Sequence, residues 1–486
     1  LKRIIMAVAA AALLLVAVLL MRTLSTGSRQ VAVDPAPPMA VDAAAAAATL
    51  AGALAIETVS YQDPAQFDGQ QFRALHDYLA QRFPRVHQAL KREVVNDYSL
   101  LYTWQGTGTE PPVLLLGHLD VVPADPATAA SWTHPPFGGV IDDGYIWGRG
   151  AVDDKGSVLA TLEAIELLLA AGYQPPRSVI LAFGHDEELL GEKGAKAMAE
   201  MLAQRQITPA LVLDEGGSIL VDLFPGVAAP VASIGIAEKG YVSVELTVAG
   251  VGGHSSMPPV RTAVGQLSTA VDRLQNHLVP SNLDAAIGRS FDYLGPEMSF
   301  PLRLVIANMW LFGPLVEWQM ASEARTNAAI RTTTAPTMFQ GGVKENQLPT
   351  SARAVVNFRI LPGDTVQRVL EHIRRTIDDP EVKVSVLGAA DDPSPVSDPD
   401  GPAFAYLNRT IRATNPDAVV SPFLVLGATD ARHYVRLTPN VFRFAPMRTR
   451  PEDVPRFHGL NERIAIDNYA GMIRFYAELL RNLGQL

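Results

Sequence analysis

The chain has 486 residues, 48% hydrophobic and 19% charged, enough apolar side chain for two or three folded domains. A formal net charge of −10 argues against a nucleic-acid surface, which would need Lys and Arg clustered against phosphates. There is no cysteine, so disulfides, thiolate nucleophiles and cysteine-ligated zinc are excluded, and any metal must be held by His, Asp and Glu.

Lys2 and Arg3 precede Ile4–Met21, a run of uncharged and mostly apolar residues that Arg22 closes. Its length meets the minimum for a membrane span and exceeds the usual signal-peptide core. The exit, LLMRTLSTGSRQ, lacks a small-x-small cleavage site. Residues 1–22 are therefore expected to be a retained anchor with the body on the extracytoplasmic side, a cleaved signal being the alternative. Residues 23–40, with DPAPPM near their end, read as a tether.

Asp42 is a candidate N-cap for an Ala-rich helix reaching Leu54, and Phe67–Phe83 has helical spacing as well. Val113–Leu116 reads as a buried strand whose end carries His118, and Asp120 stands two residues on, where a carboxylate could return to the imidazole and fix its tautomer. The Gly-rich DDGYIWGRG at 142–150 leads to Asp153 and Asp154, just before an apolar helix over Ser157–Ala171, a position the helix dipole favours for carboxylates. Ser178–Gly184 is a second buried strand that stops at Asp186, Glu187 and Glu188. Leu211–Leu213 is a third, ending in Asp214. In open parallel sheets ligands gather beyond the carboxyl ends of strands, so these acids point into a site. His118, Asp153, Glu188 and Asp214 are spaced by 35, 35 and 26 residues, each close to one strand-helix-strand unit. A fifth partner has to come from elsewhere, and FHGLNE offers His458.

A different rhythm begins at Tyr241. Val242, Val244, Leu246 and Val248 alternate, then Val264, Leu267, Val271, Leu274 and Leu278 recur at helical spacing. With a strand near 337–341, an alternating run over 352–360, a helix over 366–377 and a strand at 382–387, the order is β-α-β-β-α-β, the ferredoxin-like arrangement. Residues 241–390 thus read as an inserted domain between two parts, 41–240 and 391–486, of the first. Residues 281–335, with Trp310 and Trp318, exceed that plan and are expected to add a helical element.

Seven strings in order, GHLDVVP, GRGAVDDKG, GHDEE, LDEGG, GGHSS, GATDAR and FHGLNE, resemble the M20 family of metallopeptidases, in particular its carboxypeptidase S and N-acyl-amino-acid hydrolase branch. The resemblance spans about residues 50–486. It implies an α/β catalytic domain with a mixed, mainly parallel sheet and an inserted ferredoxin-like α+β lid or dimerisation domain. It also implies two Zn²⁺ ions bridged by Asp153, one held further by His118 and Asp214 and the other by Glu188 and His458, with Mn²⁺ or Co²⁺ as possible substitutes. Glu187 would be the general base, Asp120 the orienting partner of His118, and the Asp153–Asp154 peptide cis. His254 of GGHSS would steady the oxyanion, from the same chain or from a partner subunit of a homodimer. Arg359 would clamp a substrate carboxylate, with Asn346 in the same pocket and Gly427, Thr429, Asp430 and Arg432 lining the base of the site.

Such residues suit metal-assisted attack of water on an amide. The expected activity is cleavage of the amide next to a free terminal carboxylate in a short peptide or an N-acyl amino acid. Deacylation of another small metabolite, the reverse condensation, and a membrane-tethered non-catalytic binding protein are the rivals. No G-x-S-x-G and no H-E-x-x-H occurs, which leaves serine-hydrolase and thermolysin-type readings without a basis.

Overall fold

Four short apolar runs, Val179–Gly184, Val113–His118, Leu211–Asp214 and Val441–Arg443, lie side by side and parallel at the centre of a ten-stranded sheet in the computed structural model. The structure describes residues 1–37, 39–283 and 286–486; Pro38 of the tether and Asp284 and Ala285 of the 281–335 stretch lie outside the described residues. Every residue of the first three strands is buried, as strands covered on both faces require. The helices Ala43–Leu54, Lys155–Ala170 and Ile466–Arg481 share one core with one face of the sheet, and Ala195–Gln204 packs on the other. Each Leu, Val or Phe fully buried there contributes about 1.5–3 kcal/mol relative to exposure. Asp42 caps the first helix as read from the sequence, accepting the Ala45 N–H at 3.0 Å.

A four-stranded antiparallel sheet, ordered Thr333–Gly341, Ser351–Ile360, Gly240–Ala249, Lys383–Asp391, forms the second layer system. Its apolar face, including Val242, Val244, Leu246, Val356 and Phe358, is covered by the helices Ala263–Asn276 and Val366–Ile377. The chain order of these elements is β-α-β-β-α-β. Its two longest strands pair Tyr241 with Arg359 near the junction with the large sheet and Ala249 with Ser351 at the far end.

The excess stretch supplies the helices Ala286–Leu294, Phe300–Ala307, Met309–Ala321 and Ala324–Ile330. The first of them docks on a strand of the large sheet, Val419–Val425, through the Ser290 hydroxyl, which donates to the Pro422 carbonyl at 2.7 Å. The segment read as a tether lies along the body. Gln30 exchanges hydrogen bonds of 2.7 and 2.9 Å with the Val420 backbone, and the Ala36 N–H donates to Ala413 O at 2.8 Å. Lys2–Ser25 is a single helix, long and apolar enough by length and composition to cross a membrane.

Candidate metal centre

Three neighbouring strand ends and two loops deliver the site. His118 is the last residue of its strand and stands opposite Gly184, so the turn that follows Gly184 brings Glu187 and Glu188 beside it. Of the three consecutive acids, Asp186 is a brace: its oxygens accept the N–H groups of Lys193 and Gly194 at 2.8 Å each. Asp120 is fully buried and takes the N–H of Glu187 and of Glu188 at 3.2 Å each, and the Ser60 hydroxyl at 2.7 Å. Its carboxylate lies 3.4 Å from His118 Nδ1, and its own carbonyl is 3.0 Å from the same nitrogen. One carboxylate thus aligns the imidazole and both acids.

Asp153 stands between the two histidines, with Oδ1 2.9 Å from His118 Nε2 and Oδ2 3.0 Å from His458 Nε2. Its peptide to Asp154 is cis. Glu188 Oε1 is 3.3 Å from His458 Nε2. His458 itself sits at φ +55°, a left-handed conformation that a non-glycine residue holds only where its surroundings fix it. One atom each from His118, Asp153 and Glu188 lie within 4.8 Å of one another, and so do atoms from His118, Glu187 and Glu215.

Asp214 does not join them. Successive residues leave a strand toward opposite faces. Asp214 turns away, accepting the N–H of Ala431 at 2.7 Å and of Glu215 at 3.0 Å. Glu215 turns in, with Oε1 3.6 Å from His118 Nε2. The sequence string DEGG holds both residues, and a strand buried on both faces carries no alternation that would show which of the two turns in. Glu462, also missed, organises the rest. Its Oε1 accepts the N–H groups of Gly150, Val152 and Asp153 at 3.0, 2.9 and 3.2 Å, while Oε2 takes Arg149 Nη1 at 2.6 Å. Arg149 Nη2 in turn donates to the carbonyls of His458 and Gly459 at 3.3 and 3.1 Å. This buried pair ties the turn bearing Asp153 to the loop bearing His458.

The electrostatics follow from burial among like charges. Burial pushes Glu187 well above the usual carboxylate range, and it lifts Glu215 to about 8 with Asp153 alongside. Burial works against ionisation of Asp153 too, yet the hydrogen bonds from His118 and His458 hold it below its ordinary value. His458 is raised to about 10 by its contacts with Asp153 and then Glu188. Glu188 Oε1 is buried and, His458 aside, has no donor aimed at it among the described residues. Two imidazoles and several carboxylates converging on one rim form a donor set that suits zinc or a similar divalent cation.

The residues expected on the substrate side are spread out. Arg359 is half-buried near the junction with the large sheet, its guanidinium 4.9 Å from the Tyr241 ring centroid. His254 and Asn346 are together but elsewhere: Gly253–His254 pairs with Gln347–Leu348, and the Ser255 N–H donates to Asn346 O at 3.1 Å. This exposed ribbon lies beyond the far end of the same strands, some eight residue steps from Arg359, or about 26 Å at ~3.3 Å per step. Gly427 is exposed and Arg432 half-buried, but Thr429 and Asp430 are buried. The Thr429 hydroxyl donates to Glu238 at 2.7 Å, and Arg443 Nε donates to the same oxygen at 2.5 Å. Asp430 packs against Gly184 and Gly191, where a side chain would meet its carboxylate. These two hold the loop under the rim and do not line it.

A rim of parallel strand ends that gathers His, Asp and Glu side chains in this way defines a metal-dependent hydrolase. Peptidase family M20/M25/M40 matches residues 114–482, and the chain belongs to it. It is 42% identical over 483 residues to a probable carboxypeptidase S-like 2 of Dictyostelium discoideum, covering 96% of this chain and 92% of that one. It is also 42% identical over 439 residues to the N-fatty-acyl-amino acid synthase/hydrolase PM20D1 of Xenopus tropicalis, covering 89% and 85%. Among solved structures, an M20 family metallo-carboxypeptidase, Sso-CP2 from Sulfolobus solfataricus, superposes with a TM-score of 0.64 at 19% identity, over 90% of this chain and 99% of that one. The chain is an enzyme that hydrolyses amide bonds of peptides or N-acyl amino acids.

Proposed function

We propose that this enzyme is a two-metal hydrolase of N-acyl amino acids and short peptides that end in a free carboxylate. Asp153 would bridge two Zn²⁺ ions, with His118 and Glu215 completing one site and Glu188 and His458 the other. Bound there, the cations would supply Lewis acidity and an activated water at neutral pH. The observation that carries the reading is Glu187, a half-buried acid that shares the cluster of His118 and Glu215 without being needed to complete either ligand set.

Glu187 takes a proton from the attacking water as its oxygen bonds to the amide carbonyl carbon, and hands that proton to the nitrogen as the C–N bond breaks. The products are a carboxylate and a free amine. Arg359 provides the positive charge for the substrate carboxylate on the junction side of the antiparallel sheet. His254, being near the opposite end, would reach a reaction centre as a contribution from a second copy, which favours a homodimer built through that sheet. The likeness to an N-fatty-acyl-amino acid synthase/hydrolase brings long-chain N-acyl amino acids into the range, beside the peptides to which an equally identical carboxypeptidase S-like relative points. Lys2–Ser25 would be a retained membrane anchor with the body outside the cytoplasm.

The test is a mixed panel of dipeptides and N-acyl amino acids of graded chain length, incubated with zinc-loaded enzyme and followed by mass spectrometry. Release of free amino acid from N-acyl substrates is the expected result. Cleavage restricted to substrates with a blocked carboxylate would overturn the reading.

A further inference from the structure

The helix Met309–Ala321 has the sequence MWLFGPLVEWQMA, and not one of its residues is buried. Trp310, Leu311, Leu315 and Trp318 are 56%, 40%, 54% and 67% exposed, and with Pro314 they fall on one side of the helix. The preceding helix adds Phe300 at 52% and Leu302 at 38%. A helix that is apolar all round is ordinarily a core helix, and a contiguous exposed patch of this kind marks a surface that something covers.

Its position says what. No residue in the most apolar window of Lys2–Ser25 is buried, but the last two turns of that helix are bonded to the exposed pair. Arg303 Nε donates to Thr23 O at 3.2 Å, Asn308 Nδ2 to Leu19 O at 3.2 Å, and Arg22 Nε to Ala307 O at 3.3 Å. The patch therefore begins where the apolar span ends. Arg22, Arg29 and Arg303 line a cavity of about 470 Å³ in the same corner, with Trp310 on its wall. Indole rings at the level of lipid headgroups, arginines beside them and aliphatic side chains between are the composition of a bilayer interface.

We propose that Phe300–Ala321 is a second membrane contact, a pair of helices lying in the interfacial layer of the bilayer beside the span. The proposal rests on reading Lys2–Ser25 as a retained anchor. The bonds from Arg303 and Asn308 hold the body to the anchor at one corner, and this contact lays one defined face of it on the lipid surface.

Tryptophan fluorescence separates the two contacts, because Lys2–Ser25 contains no tryptophan and Trp104, Trp132 and Trp147 are buried or half-buried in the body. The full chain is reconstituted into phosphatidylcholine and phosphatidylglycerol vesicles whose acyl chains carry bromine either near the headgroup or near the chain end. We expect co-flotation with the vesicles and quenching that is stronger with the shallow bromines. The double variant Trp310→Phe, Trp318→Phe should float equally well and lose most of the quenching. Co-flotation with equal quenching in the two proteins would refute the interfacial contact and leave the anchor standing. Failure to float would remove the anchor and the contact together. A disulfide formed between copies of a Leu315→Cys variant in vesicles, without lipid quenching, would assign the face to a second copy and likewise refute the proposal.

Discussion

Glu215 reaches to 3.6 Å from His118 Nε2, while its neighbour Asp214 spends both carboxylate oxygens on backbone N–H groups. Glu215→Gln should therefore lower the bound zinc from two ions toward one, and Asp214→Asn should leave it near two. Metal analysis after dialysis reads this directly, and the opposite pattern would restore Asp214 as the ligand.

Glu187→Gln keeps the shape of the side chain and removes the acceptor of the proton. Metal content should stay near that of the parent, and turnover should fall by about 10²–10⁴, the usual worth of a positioned acid or base. Zinc loss in parallel with activity would make Glu187 a ligand.

The Arg149–Glu462 pair is buried at both ends, 3% and 0% exposed. Removing one partner of such a pair costs about 3–5 kcal/mol, because the other charge is left buried and alone. Glu462→Ala should lower the thermal midpoint of the metal-free protein. It should also weaken zinc binding by about 10–100-fold, as loss of an outer hydrogen-bond partner does. A lower midpoint with unchanged zinc affinity would confine Glu462 to stability.

His458 in metal-free protein is raised to about 10 by Asp153 and Glu188, so at pH 7–9 it carries a proton that a metal must displace. As pH falls further below 10, the proton on His458 competes more strongly and zinc affinity drops, and as pH rises the competition fades. Calorimetric titration of apoprotein with zinc near pH 8, in buffers of different ionisation enthalpy, should reveal proton release. In His458→Ala the release should shrink.

Arg359 near the junction and His254 beyond the far end of the same strands cannot both serve one reaction centre from one rigid sheet. Arg359→Ala should raise KM for carboxylate-bearing substrates, and His254→Ala should lower kcat. Mixing the two impaired variants should recover activity, since one site of the mixed dimer then holds both intact residues. No recovery after subunit exchange would return His254 to its own chain or take it out of the reaction.

The large features were legible in the residues because they rest on short-range rules. Val113–Leu116 and Ser178–Gly184, short apolar runs bounded by turn residues, read as strands buried on both faces, and the alternation from Val242 to Val248 reads as a strand with one apolar face. Their ends located His118, Glu187 and Glu188, all of which the structure brings to one rim. What failed was direction at one-residue resolution. Asp214 and Glu215 differ by one step along a strand, a step that inverts the face, and nothing local to DEGG fixes its phase. The role of Glu462 was hidden for another reason: its partners Arg149, Gly150, Val152 and Asp153 lie more than 300 residues away. Thr429 and Asp430 are expected at the site only through the resemblance; the buried partners that hold them, Glu238 for Thr429 and the Gly184 and Gly191 backbone for Asp430, come from distant parts of the chain.

The strand Val441–Arg443 sits between Leu211–Asp214 and Val231–Glu238, although it is synthesised some two hundred residues after both. A nascent chain emerging from the ribosome therefore carries a sheet with a gap through its middle, exposing unpaired strand edges until that late piece arrives. Truncation before residue 441 should give an aggregation-prone fragment, and one that holds no active hydrolase while translation is still under way.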